Sequence, residues 1–358
     1  MINQLINRYK QRRTERFLTD AYARRYAFVG MGQHSLSNLY PVLHYLQVPL
    51  RYICVTSERK AQLISRKFPG VEATAQLDAV LADDSIGGVF VAASPQAHFK
   101  LACRVLQSGK SLFIEKPPCS TLSELDTLQA LQQKHGVPVV CVGLQKRYAP
   151  AVDILRKRLS HDGATSYDLH YTTGAYPEGN ALMDLYIHPL DLVVSLFGTA
   201  TVVACQRTTA GAYLLMLRHQ DVVGTLELST AYTWTAAEET LKVCTRRGVY
   251  RLSQLDELSF TASSTTIAGI PTEKLLPRHP VVETLYGRNN FTPVMANNQV
   301  VSQGFFGEIK AFTDAVERSA GKPLNTAVAT ERSAGQLLKT SLSAVRPTYE
   351  LISQLSTL

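Results

Sequence analysis

The chain has 358 residues, more than one hydrophobic core comfortably serves, so two domains are expected. Apolar residues make up 45% and charged residues 18%, which excludes a disordered or fibrous chain. No apolar run approaches the roughly 20 residues that cross a bilayer, and no secretory signal pattern is seen, so neither a membrane protein nor a small disulfide scaffold is expected.

The formal charge of +8 is unevenly spread, because residues 1–25 alone carry a net +5. A nucleic-acid binder would show a basic stripe on its folded domain. No such partner is expected here. Ile2, Leu5, Ile6, Tyr9, Phe17 and Leu18 follow a loose helical spacing, so this segment reads as an amphipathic helix. It would dock on its own or a neighbouring subunit; a transit peptide or a binder of an acidic surface are the alternatives. The six cysteines (Cys54, Cys103, Cys119, Cys141, Cys205 and Cys244) show no C-x-x-C spacing and no accompanying His pair. They read as reduced thiols of a cytoplasmic protein, with no metal site.

From Tyr26 to about Gly143, short apolar runs alternate with helical patterns. Strands are predicted at Tyr26–Val29, Leu50–Thr56, Val89–Ala93, Ser111–Glu115 and Val139–Val142, with helices near 36–46, 59–67, 77–81, 97–107 and 122–134. Such alternation predicts a doubly wound parallel sheet of the Rossmann type. After Gly143, period-two segments near 164–173, 201–209, 212–218, 222–231 and 240–252 predict a second α+β domain on a mostly antiparallel sheet. One helix, about Asn180 to Phe197, interrupts it. Residues 259–303 are rich in Ser, Thr, Pro, Gly and Asn and read as loop. Helices are predicted again over Phe305–Ala320 and Ala327–Ser343. The expected domains are 1–25, 26–143 and 144–304, with 305–358 as helices packing back on the other two.

The first predicted strand ends in Gly30-Met31-Gly32-Gln33-His34-Ser35 and enters a helical pattern. Glycines there permit a tight turn and let the backbone approach a pyrophosphate at the helix N-terminus. Ser35 replaces the third glycine of the usual fingerprint. Two dozen residues on, Val55-Thr56-Ser57-Glu58-Arg59-Lys60 closes the second strand. An NAD site places a carboxylate there, whereas an Arg suits a 2′-phosphate. Ser57 and Arg59 therefore point to NADP(H), with NAD(H) possible if Glu58 takes the ribose.

Downstream, Ser94-Pro95-Gln96-Ala97-His98, then Gly109-Lys110, then Glu115-Lys116-Pro117-Pro118 follow in order. With the glycine turn and Lys146-Arg147-Tyr148, this succession resembles the Gfo/Idh/MocA oxidoreductases, the family of glucose–fructose oxidoreductase and inositol dehydrogenase. The resemblance implies that Lys116 contacts a substrate hydroxyl and the nicotinamide ribose, and that Pro117 follows a cis bond. It places Gly30, Gly32, Gln33, His34, Ser57, Arg59, Ser94, Pro95, His98, Glu115, Lys116 and Pro117 among the cofactor-contacting candidates. It also implies a homodimer or homotetramer and a sugar-like small-molecule substrate.

The second signature runs from Asn180 to Asp191. Asp184 and His188 stand four residues apart, on one face of a helix. A carboxylate beside an imidazole favours the charged ring, which suits a group cycling a proton near neutral pH. Read without the family, the two are a structural helix pair. With it, His188 is the proton donor and acceptor, Asp184 orients it, and Lys116 stabilises the developing alkoxide. Arg147, Tyr148 and Asp191 are the substrate-binding candidates. Three other readings compete: a non-catalytic cofactor-binding sensor, a redox-neutral NAD-dependent glycosidase or lyase, and an imine reductase.

Overall fold

The computed structural model describes residues 2–18, 22–209, 211–275, 281–291, 294–321 and 338–357, with side chains left aside at 12–18 and 296. Two compact units emerge, and each is built around its own sheet. The first comprises residues 1–118, 126–143 and 309–342; the second comprises 119–125, 144–308 and 343–358.

The first unit holds six strands: β1 (Arg25–Val29), β2 (Leu50–Cys54), β3 (Glu72–Thr74), β4 (Ile86–Val91), β5 (Ser111–Glu115) and β6 (Val140–Gly143). All pair in parallel, in the order β3-β2-β1-β4-β5-β6. That is the strand order of dinucleotide-binding sheets, whose ligand crevice opens between β1 and β4, where the winding direction reverses. β5 is buried along its whole length, as expected of a strand covered on both faces. The helix Phe305–Ser319 supplies Phe312, whose ring meets Phe90 edge-on at 5.1 Å and Phe113 at 5.8 Å. Edge-to-face aromatic pairs add about 0.5–1.5 kcal/mol each beyond their burial. Tyr26 and the backbone of Arg24 both donate to Glu317 of that helix, which ties the start of β1 to it.

The second unit carries β7 (Ala164–Thr172), β8 (Thr201–Arg207), β9 (Tyr213–Arg218), β10 (Val223–Ser229), β11 (Glu238–Thr245), β12 (Gly248–Ser253) and β13 (Glu257–Ala262). A two-stranded hairpin, β14 (Thr266–Ile267) and β15 (Ile270–Pro271), stands apart, and β16 (Val282–Gly287) completes the large sheet. Its order is β16-β13-β12-β11-β7-β10-β9-β8, antiparallel throughout except where β7 runs parallel to β10. Alternate residues of β9 are buried and exposed, so one face of this sheet is open and displays Leu214 and Met216.

Several expectations need correction. The 259–303 stretch is not all loop: β13 and β16 pair across it, because Ser- and Thr-rich strands at a sheet edge need no strong apolar alternation. β3, three residues long and partly exposed, carried too little pattern to be seen. Of the helix expected over 327–343, 327–337 lie outside the described residues and 338–341 are not helical; a helix follows over Leu342–Ser356. The N-terminal segment is helical over Ile2–Leu18, and its Ile2, Leu5, Ile6 and Tyr9 are exposed. None of the six cysteines is disulfide-bonded, and no described helix is long and apolar enough to cross a membrane.

Candidate dinucleotide site and Asp184–His188 segment

In the first unit a cavity of about 780 Å³ opens at the carboxyl ends of β1, β2, β4 and β5. That is within the roughly 300–1,000 Å³ of small-molecule and cofactor sites. Its floor is the turn Gly30 to Ser35, and its walls include Thr56, Lys60, Ser94, Pro95, His98, Arg104, Glu115 and Lys116.

The two glycines act differently. Gly30 has φ +93°, and a Cβ there would fall 2.3 Å from the Ala92 carbonyl oxygen, so β1 can leave the sheet beside β4 only through a glycine. A Cβ on Gly32 would meet no protein atom within 4 Å. The backbone there is bare on the cavity side of the turn, which suits close approach by a pyrophosphate. Ser35, at the third position, is buried, so the smallest hydroxyl side chain suffices for helix-on-strand packing. The residues therefore fit a dinucleotide.

His34 and Glu115 meet at the cavity wall, Nε2 to Oε1 at 3.2 Å. Asn38 contacts the other ring nitrogen at 3.1 Å. Burial alone would lower the His34 pKa, but the hydrogen bond and charge of Glu115 outweigh it and the net shift is upward. Burial pushes Glu115 up, yet His34, Lys116 and His98 together hold its carboxyl below the ordinary carboxylate value. Among the described residues Glu115 is the only acid on the cavity wall, and it is engaged by His34. Lys60, Arg104 and Lys116 leave the wall cationic, as an anionic dinucleotide requires.

His98 is buried with Nδ1 at 2.8 Å from the Pro117 carbonyl oxygen and Nε2 at 3.0 Å from that of Ala93. It joins the chain beyond β4 to the chain beyond β5. Burial depresses its pKa, against the two carbonyls that favour a doubly protonated ring. The Lys116–Pro117 bond is cis. Gln33 donates to Ser37 Oγ at 3.0 Å.

At the β2 end the sequence candidates differ in position. Ser57 caps the helix Glu58–Lys67, accepting from the Lys60 amide, and Arg59 is exposed on that helix. Thr56 and Lys60 line the cavity; Ser57 and Arg59 do not. Arg104 was not legible in the sequence at all. It reaches the cavity from the helix Pro95–Gln107 and pairs with Asp78. No local motif marks it, because only the folding of β4 beside β1 brings that helix to the crevice.

In the second unit the Asp184–His188 segment is not a plain α-helix. Asn180 Oδ1 accepts from the Leu182 amide, a π-helical turn spans Leu182–Tyr186, and the α-helix Ile187–Phe197 follows. Such wide turns recur at functional sites. Asp184 Oδ2 accepts from the Asn180 amide at 2.9 Å and from the Tyr176 hydroxyl at 3.3 Å, so the loop before the helix holds this carboxylate.

Arg147 and Asp191 lie against each other. Arg147 Nε and Nη2 donate to the two Asp191 oxygens at 2.8 and 2.6 Å, and Thr348 adds a third bond at 2.8 Å. Their side chains are only 7% and 2% exposed, so the two form a buried ion pair. Charge and hydrogen bonding from Asp191 raise the Arg147 pKa against the opposing effect of burial. Tyr148 is buried as well. Lys146 instead grips both Glu239 oxygens and lies over the Tyr171 ring at 5.0 Å. Among the described residues no group of three or more His, Cys, Asp or Glu side chains could hold a metal ion.

Residues 24–144 match the Gfo/Idh/MocA profile, described as an oxidoreductase family with an NAD-binding Rossmann fold. Over that range the chain is similar to the Gfo/Idh/MocA oxidoreductases. Among curated proteins, this chain is similar to UDP-N-acetylglucosamine 3-dehydrogenase of Acidithiobacillus ferrooxidans, 32% identical over 150 residues, which are 41% of this chain and 44% of that protein. The chain spans about half the length of the curated relatives it matches. Among solved structures, a dehydrogenase from Chromobacterium violaceum superposes with TM-score 0.75 and 19% identity, covering 94% of this chain and 95% of that one. A 3-ketoreductase from Actinomadura kijaniata, in complex with TDP-benzene and NADP, gives TM-score 0.68 and 15% identity, covering 93% and 96%. These two share the fold of this chain along nearly its whole length.

Proposed function

We propose that this protein is an NAD(P)-dependent oxidoreductase acting between the carbinol and carbonyl states of a sugar, cyclitol or related derivative. The observation that carries the reading is the cationic cavity, with Lys116 on its wall beside a glycine turn left bare at Gly32. When bound, the dinucleotide supplies the hydride acceptor or donor. The turn Gly30 to His34 would hold the pyrophosphate through backbone N–H groups. NADP(H) is favoured over NAD(H): among the described residues no carboxylate lines the β2 end to take a ribose hydroxyl, and Lys60 lines it and could meet a 2′-phosphate.

Lys116 supplies a cation where negative charge develops on the substrate oxygen. His188 gives or takes the proton of the substrate hydroxyl, and Asp184, fixed by Asn180 and Tyr176, orients the ring. The sugar-type substrate class is supported by the 32%-identical relative, a UDP-N-acetylglucosamine 3-dehydrogenase. A homodimer or homotetramer in the cytoplasm belongs to the same reading, with the open sheet face around Leu214 and Met216 as the surface such an assembly would cover. The test is a panel of polyols, sugars and nucleotide sugars with each cofactor, followed at the nicotinamide absorbance band. Turnover with one substrate class supports the reading, and none across the panel with either cofactor contradicts it.

A further inference from the structure

Trp234 is the only tryptophan of the chain, and it is 53% exposed on the loop between β10 and β11. A lone exposed apolar side chain on a protein surface is ordinary. This one, however, is held in place from two sides. Its Nε1 donates to the Ala175 carbonyl at 3.0 Å, and its ring lies on Gly174, where a Cβ would fall 2.4 Å from Trp234 Cδ1. Behind it, Thr233 and Thr235 join hydroxyl to hydroxyl at 2.9 Å, and the Thr235 amide donates back to Thr233 at 3.3 Å.

The placement follows from the sheet. β7 and β10 run parallel, so their following loops leave from one end, and the two are laced together there. The Thr173 amide donates to Ser229 and the Tyr232 amide to Thr173. The segment under Trp234 continues through Tyr176 and Asn180, the two donors that hold Asp184. Tyr232, 57% exposed, turns its hydroxyl to Glu227 at 3.0 Å. A fixed aromatic face thus stands on the same loop pair that holds the proposed proton-transfer segment.

We propose that Trp234 is a substrate-binding residue whose indole face receives the C–H face of a sugar or cyclitol ring. The inference rests on the oxidoreductase reading above and adds to it the subsite that would grip the ring. Polyhydroxylated rings carry hydroxyls at their edge and C–H bonds across a face, so a rigid aromatic surface beside polar groups matches both. Because the indole is fixed before binding, little side-chain entropy is lost on contact.

The experiment titrates the full chain with myo-inositol, glucose and UDP-N-acetylglucosamine while following the emission of its single tryptophan, and measures turnover of wild type, Trp234→Ala and Trp234→Phe. A saturable emission change is expected with the ring that is turned over. Trp234→Ala should raise its KM about tenfold or more with kcat changed by less than about threefold, and Trp234→Phe should stay near wild type. The Phe variant separates a platform from a loop clamp, since it keeps a ring but loses the bond to Ala175. If Trp234→Phe is as impaired as Trp234→Ala and both lose kcat, the proposal is overturned. Turnover by wild type with KM unchanged in Trp234→Ala overturns it too, and leaves the oxidoreductase reading standing. A saturable emission change without turnover keeps the subsite and contradicts the redox reading. No emission change with any of the three compounds also overturns the subsite.

Discussion

His34 and Glu115 are 81 residues apart in sequence and 3.2 Å apart at the cavity wall, one from the glycine turn and one from the end of β5. Folding of the parallel sheet brings them together, and the bond links two segments that a dinucleotide would touch. The pair also makes the stability of this unit depend on pH. His34 has a raised pKa in the fold, so its contribution is whole below its ordinary value of 6.5 and is lost as pH rises through the higher folded value. Glu115 has a lowered one, so its contribution is whole above its ordinary value of 4.5 and is lost as pH falls through the lower folded value. Wild type minus Glu115→Gln, followed by thermal melting, should therefore differ most between those two ordinary values and less on either side. A difference that is flat across that range would remove the pair from the stability of the unit.

The two glycines of the turn should separate fold from binding. Gly30→Ala puts a methyl group against the Ala92 carbonyl at a positive φ, and should cost at least about 2 kcal/mol in denaturant unfolding. Gly32→Ala meets no protein atom and should melt like wild type, yet bind dinucleotide more weakly by about tenfold or more. Equal cofactor affinity in Gly32→Ala and wild type would place the pyrophosphate elsewhere.

Arg147 and Asp191 give the sharpest contrast between a structural and a binding role. Asp191→Ala strands a buried guanidinium and should destabilise by about 3–5 kcal/mol. A substrate contact would instead raise KM and leave the melting temperature in place.

Cofactor choice turns on Lys60. Lys60→Ala should weaken NADPH binding by about tenfold and leave NADH unchanged, because a charge-assisted bond to phosphate is lost. Arg59→Ala, exposed and off the cavity wall, should change neither. The reverse pattern would return the role to Arg59.

These contrasts also show where the sequence stops. The parallel sheet was legible because strands buried on both faces read as unbroken apolar runs, and Ser111–Glu115 was placed to the residue. Gly30 was legible because only a glycine accepts that turn. Arg59 and Lys60 were not separable, since adjacent residues on one helix point to different sides and the pattern carries no direction. The Arg147–Asp191 ion pair was not legible, because a charged side chain in sequence does not reveal that its partner lies 44 residues away. The π-helical turn at Leu182–Tyr186 was hidden for a related reason. Its apolar spacing fits an ordinary helix almost as well, and the extra width is set by what packs around it.

The role given to His188 is tested most directly by single-turnover nicotinamide absorbance in His188→Ala, with dinucleotide affinity measured on the same sample. Turnover should fall by about 10²-fold or more while affinity stays at the wild-type value. Wild-type turnover in that variant would contradict the account.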